Sequence, residues 1–191
     1  MIWLANNWFE LVAVVLTLYS IWLATKENIW YYPTGLVALA MYTWLYYSAR
    51  LYAESFLQII CFALMVYGWY EWLHGGARHD PLPVTRTPRW AWMWGIPAGI
   101  ALSALTIWVQ LTFTDNPNPY VDSSLFAWSL VAQWMTARKW LESWLLWVAI
   151  NTVSVPLYVV RGLTLTAGLF IGLWILAIMG YRDWRRSLAS A

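Results

Sequence analysis

The stretch Gly68-Trp69-Tyr70-Glu71-Trp72 returns further along as Gly180-Tyr181-Arg182-Asp183-Trp184, an offset of 180 − 68 = 112 residues. Glycine meets glycine, acid meets acid and tryptophan meets tryptophan. Without a gap, the same offset sets Trp22 on Trp134, Lys26 on Arg138, Tyr46 on Tyr158 and Leu51 on Leu163. In a chain this apolar, such a repeat predicts a membrane transporter built from two copies of one helical unit. Transporters of this kind bind substrate where the copies meet, near the middle of the bilayer.

Composition points the same way. The 191 residues are 62% hydrophobic and only 10% charged, whereas a soluble domain carries about 25% charged residues. The 18 Trp and 12 Tyr suit interfacial belts, where an apolar ring with a polar tip sits between lipid and water. A formal net charge of +2 gives no case for a nucleic-acid partner. Cys61 is the sole cysteine, so no intrachain disulfide forms. The start, Met1-Ile2-Trp3-Leu4, has no basic region or small-residue cleavage site and reads as part of the mature chain.

A membrane-spanning helix needs about 20 mainly apolar residues. Seven stretches qualify: Trp8–Thr25, Ile29–Ser48, Leu51–Leu73, Trp90–Phe113, Tyr120–Thr136, Leu141–Val160 and Leu163–Tyr181. None shows the period-2 alternation of barrel strands. Longer connectors at His74–Arg89, with Gly75, Gly76, Pro81, Pro83 and Pro88, and at Thr114–Pro119, with Pro117, read as loops. If the spans alternate, Lys26, Arg78, Arg86, Arg89, Arg138, Lys139, Arg182, Arg185 and Arg186 share one side. Arg50 and Arg161 occupy the other. The positive-inside rule then puts the N-terminus outside and the C-terminus in the cytoplasm.

The expected fold is therefore an all-α integral membrane protein of seven transmembrane helices. One transmembrane domain covers residues 1–191, with repeat one at 8–73, a linker loop and helix at 74–113, and repeat two at 120–184. Three helices per copy would invert the second copy, and the unmatched fourth span restores a parallel relation. This is the sugar-transporter-like, SWEET-type arrangement.

Residues that match between copies serve the scaffold, and polar or aromatic residues that differ are candidates for a site. The sixth span carries Trp144-x-x-Trp147-x-x-x-Asn151-x-x-Ser154, four positions within an arc of about 80° on one helix face. Their counterparts in the first copy are Tyr32, Gly35, Leu39 and Tyr42. An unpaired amide in hydrocarbon costs several kcal/mol, so Asn151 should face the bundle interior. Pro156 loosens the same helix beside it. Gln133 with Ser129 and Thr136 on the fifth span, and Glu54, Gln58 and Tyr67 on the third, complete a cavity with aromatic walls and a few amides. Such a site suits a flat, polar ligand, including a cationic one. The competing readings are an interfacial belt for Trp144 and Trp147, and interhelical hydrogen bonds for Asn151, Gln58 and Ser129.

Several classes find no support. Two His, His74 and His79, without Cys or further His partners give no metal site. No span holds a central acid or buried base of the kind that couples transport to protons or sodium. No nucleotide-binding loop is present, and no nucleophile, base or metal set marks an enzyme. No cofactor is expected, and passive, facilitated passage is favoured.

Two longer motifs carry a resemblance. Leu51-Tyr52-Ala53-Glu54-Ser55-Phe56-Leu57-Gln58, continuing to Tyr67-Gly68-Trp69-Tyr70-Glu71-Trp72, and Arg138-Lys139-Trp140-Leu141-Glu142-Ser143-Trp144-Leu145-Leu146-Trp147-Val148-Ala149-Ile150-Asn151, followed by Ser154, resemble the PnuC family of bacterial vitamin transporters. The likeness runs from about Trp8 to Trp184. It implies uptake of nicotinamide riboside, or in related branches thiamine, by facilitated diffusion, with trapping by a cytosolic kinase. It further implies a homotrimer in the inner membrane. Carried over, the family's two Trp and Asn fall on Trp144, Trp147 and Asn151, and its fifth-span Gln falls on Gln133. One departure stands out: where many relatives have an Asn shortly before the Tyr-Gly-Trp, this chain has Met65.

Overall fold

The computed structural model describes residues 8–48, 52–76, 79–115, 118–162 and 164–190. Met1–Leu4, Arg50, Leu51, Arg78, Pro117 and Leu163 lie outside the described residues, as do the side chains of Tyr46 and of residues 52–57. Seven helices follow in order: α1 Trp8–Thr25, α2 Tyr31–Ser48, α3 Tyr52–His74, α4 Arg89–Phe113, α5 Pro119–Ala137, α6 Ser143–Val160 and α7 Thr164–Ser190. No strand occurs among the described residues; Thr85 and Trp140 form one isolated bridge. By length and apolar composition, α1, α4 and α6 can each cross a bilayer. The other four carry Tyr, Trp and polar groups among their apolar residues, which lowers mean hydropathy. Their outer faces are nevertheless apolar, with Val37 and Trp44 exposed on α2, Ile59 and Phe62 on α3, and Ile171 and Ile175 on α7.

Six helices close a ring. α1 packs on α2, α2 on α3, α3 on α5, α5 on α6, α6 on α7, and α7 returns to α1, while α4 stands outside against α5. The α4–α5 contact is a stripe of small residues, Ala91, Gly95, Gly99 and Ser103, all buried. Their size lets the α5 indoles approach, with Trp128 ring atoms 3.2 Å from where a Gly99 Cβ would sit.

Positions 112 apart behave alike. α1 ends at Thr25 and α5 at Ala137; α2 spans Tyr31–Ser48 and α6 Ser143–Val160; α3 begins at Tyr52 and α7 at Thr164. The turn after α1 bonds Glu27 N–H to Ala24 O (3.1 Å) and Asn28 N–H to Leu23 O (3.0 Å). The turn after α5 bonds Lys139 N–H to Thr136 O (3.0 Å) and Trp140 N–H to Met135 O (3.1 Å). Glu27 and Lys139 both adopt left-handed backbone, φ 54° and 50°, which costs a residue with a β-carbon roughly 1–2 kcal/mol. This turn also explains why α6 begins at Ser143 rather than the expected Leu141. α7 runs past the expected Tyr181 to Ser190, because Leu188 still packs against the core while the arginines between face water.

The core lies at the end of the bundle bearing these turns. Tyr32, Trp72, Trp144 and Trp184 pack across its centre: Tyr32 edge-to-face with Trp72 at 5.1 Å, Trp72 tilted against Trp184 at 5.9 Å, and Trp144 edge-to-face with Trp184 at 5.3 Å. Trp72 donates its indole N–H to Thr136 O (3.1 Å), and Trp184 donates to Ala24 O (3.0 Å), again at matching positions. Gly68 and Gly180 make this packing possible. A β-carbon on Gly68 would lie 2.6 Å from Tyr32 Oη, and one on Gly180 2.5 Å from Trp144 Cε2.

Candidate functional site

Inside the ring, just beyond that aromatic layer, lies a cavity of about 300 Å³. This is at the small end of sites for small molecules, which run from about 300 to 1,000 Å³. All six ring helices contribute, and no Asp, Glu, Lys or Arg is among the described lining residues.

Five of the seven expected site residues meet there: Gln58 from α3, Gln133 from α5, and Trp144, Trp147 and Asn151 from α6. The helical period explains the α6 set, since its three positions share one inward face. Trp147 is fixed by its indole N–H donating to Thr136 Oγ1 at 3.1 Å. The Gln133 Nε2 donates to Tyr31 Oη and to Met65 Sδ, both at 3.1 Å. Asn151 is buried, and its carboxamide makes no side-chain hydrogen bond with another described residue. The buried Trp144 Nε1 likewise has no partner among the described residues. An orphaned buried donor costs about 1–3 kcal/mol unless something meets it.

Two expected residues are elsewhere. Ser154 is buried but does not line the cavity; its hydroxyl donates to Ile150 O of its own helix at 2.9 Å. Tyr67 is 37% exposed and points away. On α3 it sits roughly 200° around from Met65, whereas Gln58, Cys61 and Met65 share the inward face. Conversely, Tyr31, Met65 and Ser20 line the cavity without having been singled out as binding residues. A size exchange between the halves could have found Met65. Gly35 on α2 faces Met65 on α3, whose Cε occupies the place of a Gly35 β-carbon. The matching positions are Trp147 and Ala177, both also on the cavity wall.

Below the rings, three ion pairs tie the halves together. Lys26 meets Asp183 at 2.7 Å and Arg138 meets Glu71 at 2.8 Å, two pairs related by the 112-residue offset. Lys139 meets Glu27 at 3.4 Å, two residues that are each other's counterparts. Lys139 also lies 4.5 Å from the centre of the Trp72 ring. Burial pushes its pKa below the ordinary lysine value, and the Glu27 carboxylate opposes that shift. The linker loop is stitched onto the same end, with Glu142 Oε2 accepting from both Thr87 N–H and Thr87 Oγ1 at 2.7 Å. The charged end is thus closed by ion pairs over a layer of rings, with the cavity behind it.

A ring of apolar-faced helices around a cavity walled by rings and amides is the architecture of a membrane protein. Over residues 7–186 the chain matches the family described as nicotinamide mononucleotide transporter, and it belongs to that family, which contains the PnuC proteins. The family is one of transporters, not of enzymes. The nicotinamide riboside transporter PnuC of Escherichia coli (strain K12) is 27% identical over a 210-residue alignment covering 95% of this chain and 86% of the relative. The riboflavin/roseoflavin transporter RibM of Streptomyces davaonensis is 26% identical over 182 residues, covering 93% of this chain and 84% of the relative. A crystal structure of the vitamin B3 transporter PnuC superposes with a TM-score of 0.78 at 19% identity, covering 99% of this chain and 85% of that one. The two share a fold.

Proposed function

We propose that this protein carries nicotinamide riboside across the bacterial inner membrane by facilitated diffusion. The observation that carries the reading is the cavity in which Gln58, Gln133, Trp144, Trp147 and Asn151 converge. The riboside pairs a pyridinium cation with a sugar and a carboxamide. Indole faces attract such a cation by about 2 kcal/mol or more when desolvated, and the amides of Asn151, Gln133 and Gln58 suit the hydroxyls and carboxamide. A mononucleotide would bring a phosphate, and no lysine or arginine among the described residues lines the cavity to meet it. That no Asp, Glu, Lys, Arg or His is among the described lining residues also supports uniport over ion coupling. Net import then comes from phosphorylation of the product by a cytosolic kinase.

For passage, the aromatic layer and the three ion pairs must part. In this reading the seven helices all span the membrane, and α1–α3 and α5–α7 are parallel SWEET-like repeats joined by α4. The equivalent turns, ion pairs and indole bonds at 112-residue spacing support the repeat. The concentration of basic residues at one end supports a cytoplasmic C-terminus. The family resemblance adds a homotrimer.

The near-equal identity to a riboflavin transporter favours a second reading, in which another flat vitamin, riboflavin or thiamine, is the cargo. Calorimetric titration with all three ligands decides between them. Uptake of labelled nicotinamide riboside into liposomes, without ATP or an ion gradient, tests the transport claim. A strict requirement for either energy source would refute uniport.

A further inference from the structure

Gln133 spends both bonds of one amide edge on the protein: its Nε2 reaches Tyr31 Oη and Met65 Sδ. A phenol oxygen can donate or accept, so Tyr31 alone would let the amide turn over. A thioether sulfur can only accept. Met65 therefore decides that the NH2 edge faces it, and the carbonyl Oε1 is left without a partner among the described residues. Met65 itself is confined: it is buried, with its methyl seated in the space that only glycine at position 35 leaves open. The matching place in the other half, Ala177 opposite Trp147, has no such acceptor.

We propose that Met65, backed by Gly35 and Tyr31, is a positioning residue that locks the Gln133 amide with its oxygen toward the ligand, so that the site selects a ligand group donating a hydrogen bond there. This deepens the proposed function. A pyridine carboxamide, whose NH2 donates, is the favoured substrate class, and the corresponding carboxylate, which only accepts, is rejected.

The test is calorimetric titration of the purified full chain with nicotinamide riboside and nicotinic acid riboside. Wild-type protein binds the amide more tightly by roughly tenfold or more, the scale of a hydrogen bond made against one left unmade. In Met65→Leu, which keeps bulk but removes the acceptor, the amide turns over and the ratio falls several-fold. Gly35→Ala dislodges the Met65 methyl and lowers the ratio in the same direction, and it decides the matter if Met65→Leu does not fold. A ratio near one in the wild type overturns the proposal. So does an unchanged ratio in both variants while nicotinamide riboside still binds, and the proposed function then survives. Failure of the wild type to bind either riboside overturns the proposed function and this inference together.

Discussion

The two halves, α1–α3 and α5–α7, agree where the bundle is closed and differ where it is hollow. At the charged end, helix limits, left-handed turns, indole hydrogen bonds and cross-half ion pairs fall at positions 112 apart. On the cavity wall the same offset sets Ile21 against Gln133, Gly35 against Trp147, Leu39 against Asn151 and Met65 against Ala177. The closed end is thus much alike in both halves, while both indoles and two of the three amides on the cavity wall fall in one half. The closing device acts between halves and needs both copies, whereas one asymmetric ligand needs only one set of contacts.

Exchanging the two halves' characters at one position breaks the comparison most sharply. Asn151→Leu gives the second half the leucine of the first and is expected to weaken nicotinamide riboside binding roughly a hundredfold, the cost of unmade hydrogen bonds in a dry site. Leu39→Asn is expected to change affinity less than about threefold; equal losses from both would remove the functional asymmetry. Next come the two glycines under the aromatic layer. Gly68→Ala and Gly180→Ala each force an aromatic ring aside, at about 1–3 kcal/mol, and should lower the melting temperature by similar amounts. A large loss from only one would show that the closure is not symmetric.

The Lys139–Glu27 pair at the closed end is unequal in burial. The Lys139 side chain is 8% exposed and that of Glu27 27%. Glu27→Gln strands a buried ammonium, while Lys139→Gln leaves a carboxylate that reaches water, so the first should destabilise more, by about 1 kcal/mol. The sign with pH follows. Because the folded state holds Lys139 below its ordinary pKa, the unfolded chain binds more protons between the two values, and stability rises with pH across that window. In Glu27→Gln the window opens at still lower pH, which melting curves from neutral to alkaline pH would reveal. Smallest are the paired rim contacts. Glu71→Gln and Asp183→Asn should each cost well under about 1 kcal/mol, because their partners are partly exposed, and they should match. Unequal melting shifts would sharpen the comparison by showing which half bears the load.

The helices were legible because long apolar runs are broken by few turn residues, and six of the seven both start and stop within two residues of the pattern. Only the end of α7 was not, since Arg182, Arg185 and Arg186 look like a tail although Leu188 anchors them to the core. Gln133, Trp144, Trp147 and Asn151 were legible because they break the repeat. Tyr67 lies off the cavity because its angle on α3 carries it away from Gln58, and Ser154 because its hydroxyl bonds its own helix instead. Met65 was visible only as an oddity: its meaning depends on Gly35 and Gln133, residues from two other helices, whose meeting no local pattern encodes.

Cys61 offers the most direct test, being the sole cysteine and part of the cavity wall. Alkylation of this thiol by a small membrane-permeant maleimide should slow markedly when the protein is saturated with nicotinamide riboside, because ligand and reagent compete for the same hollow. A rate unchanged by ligand that calorimetry shows to be bound would place the binding site elsewhere and contradict the account.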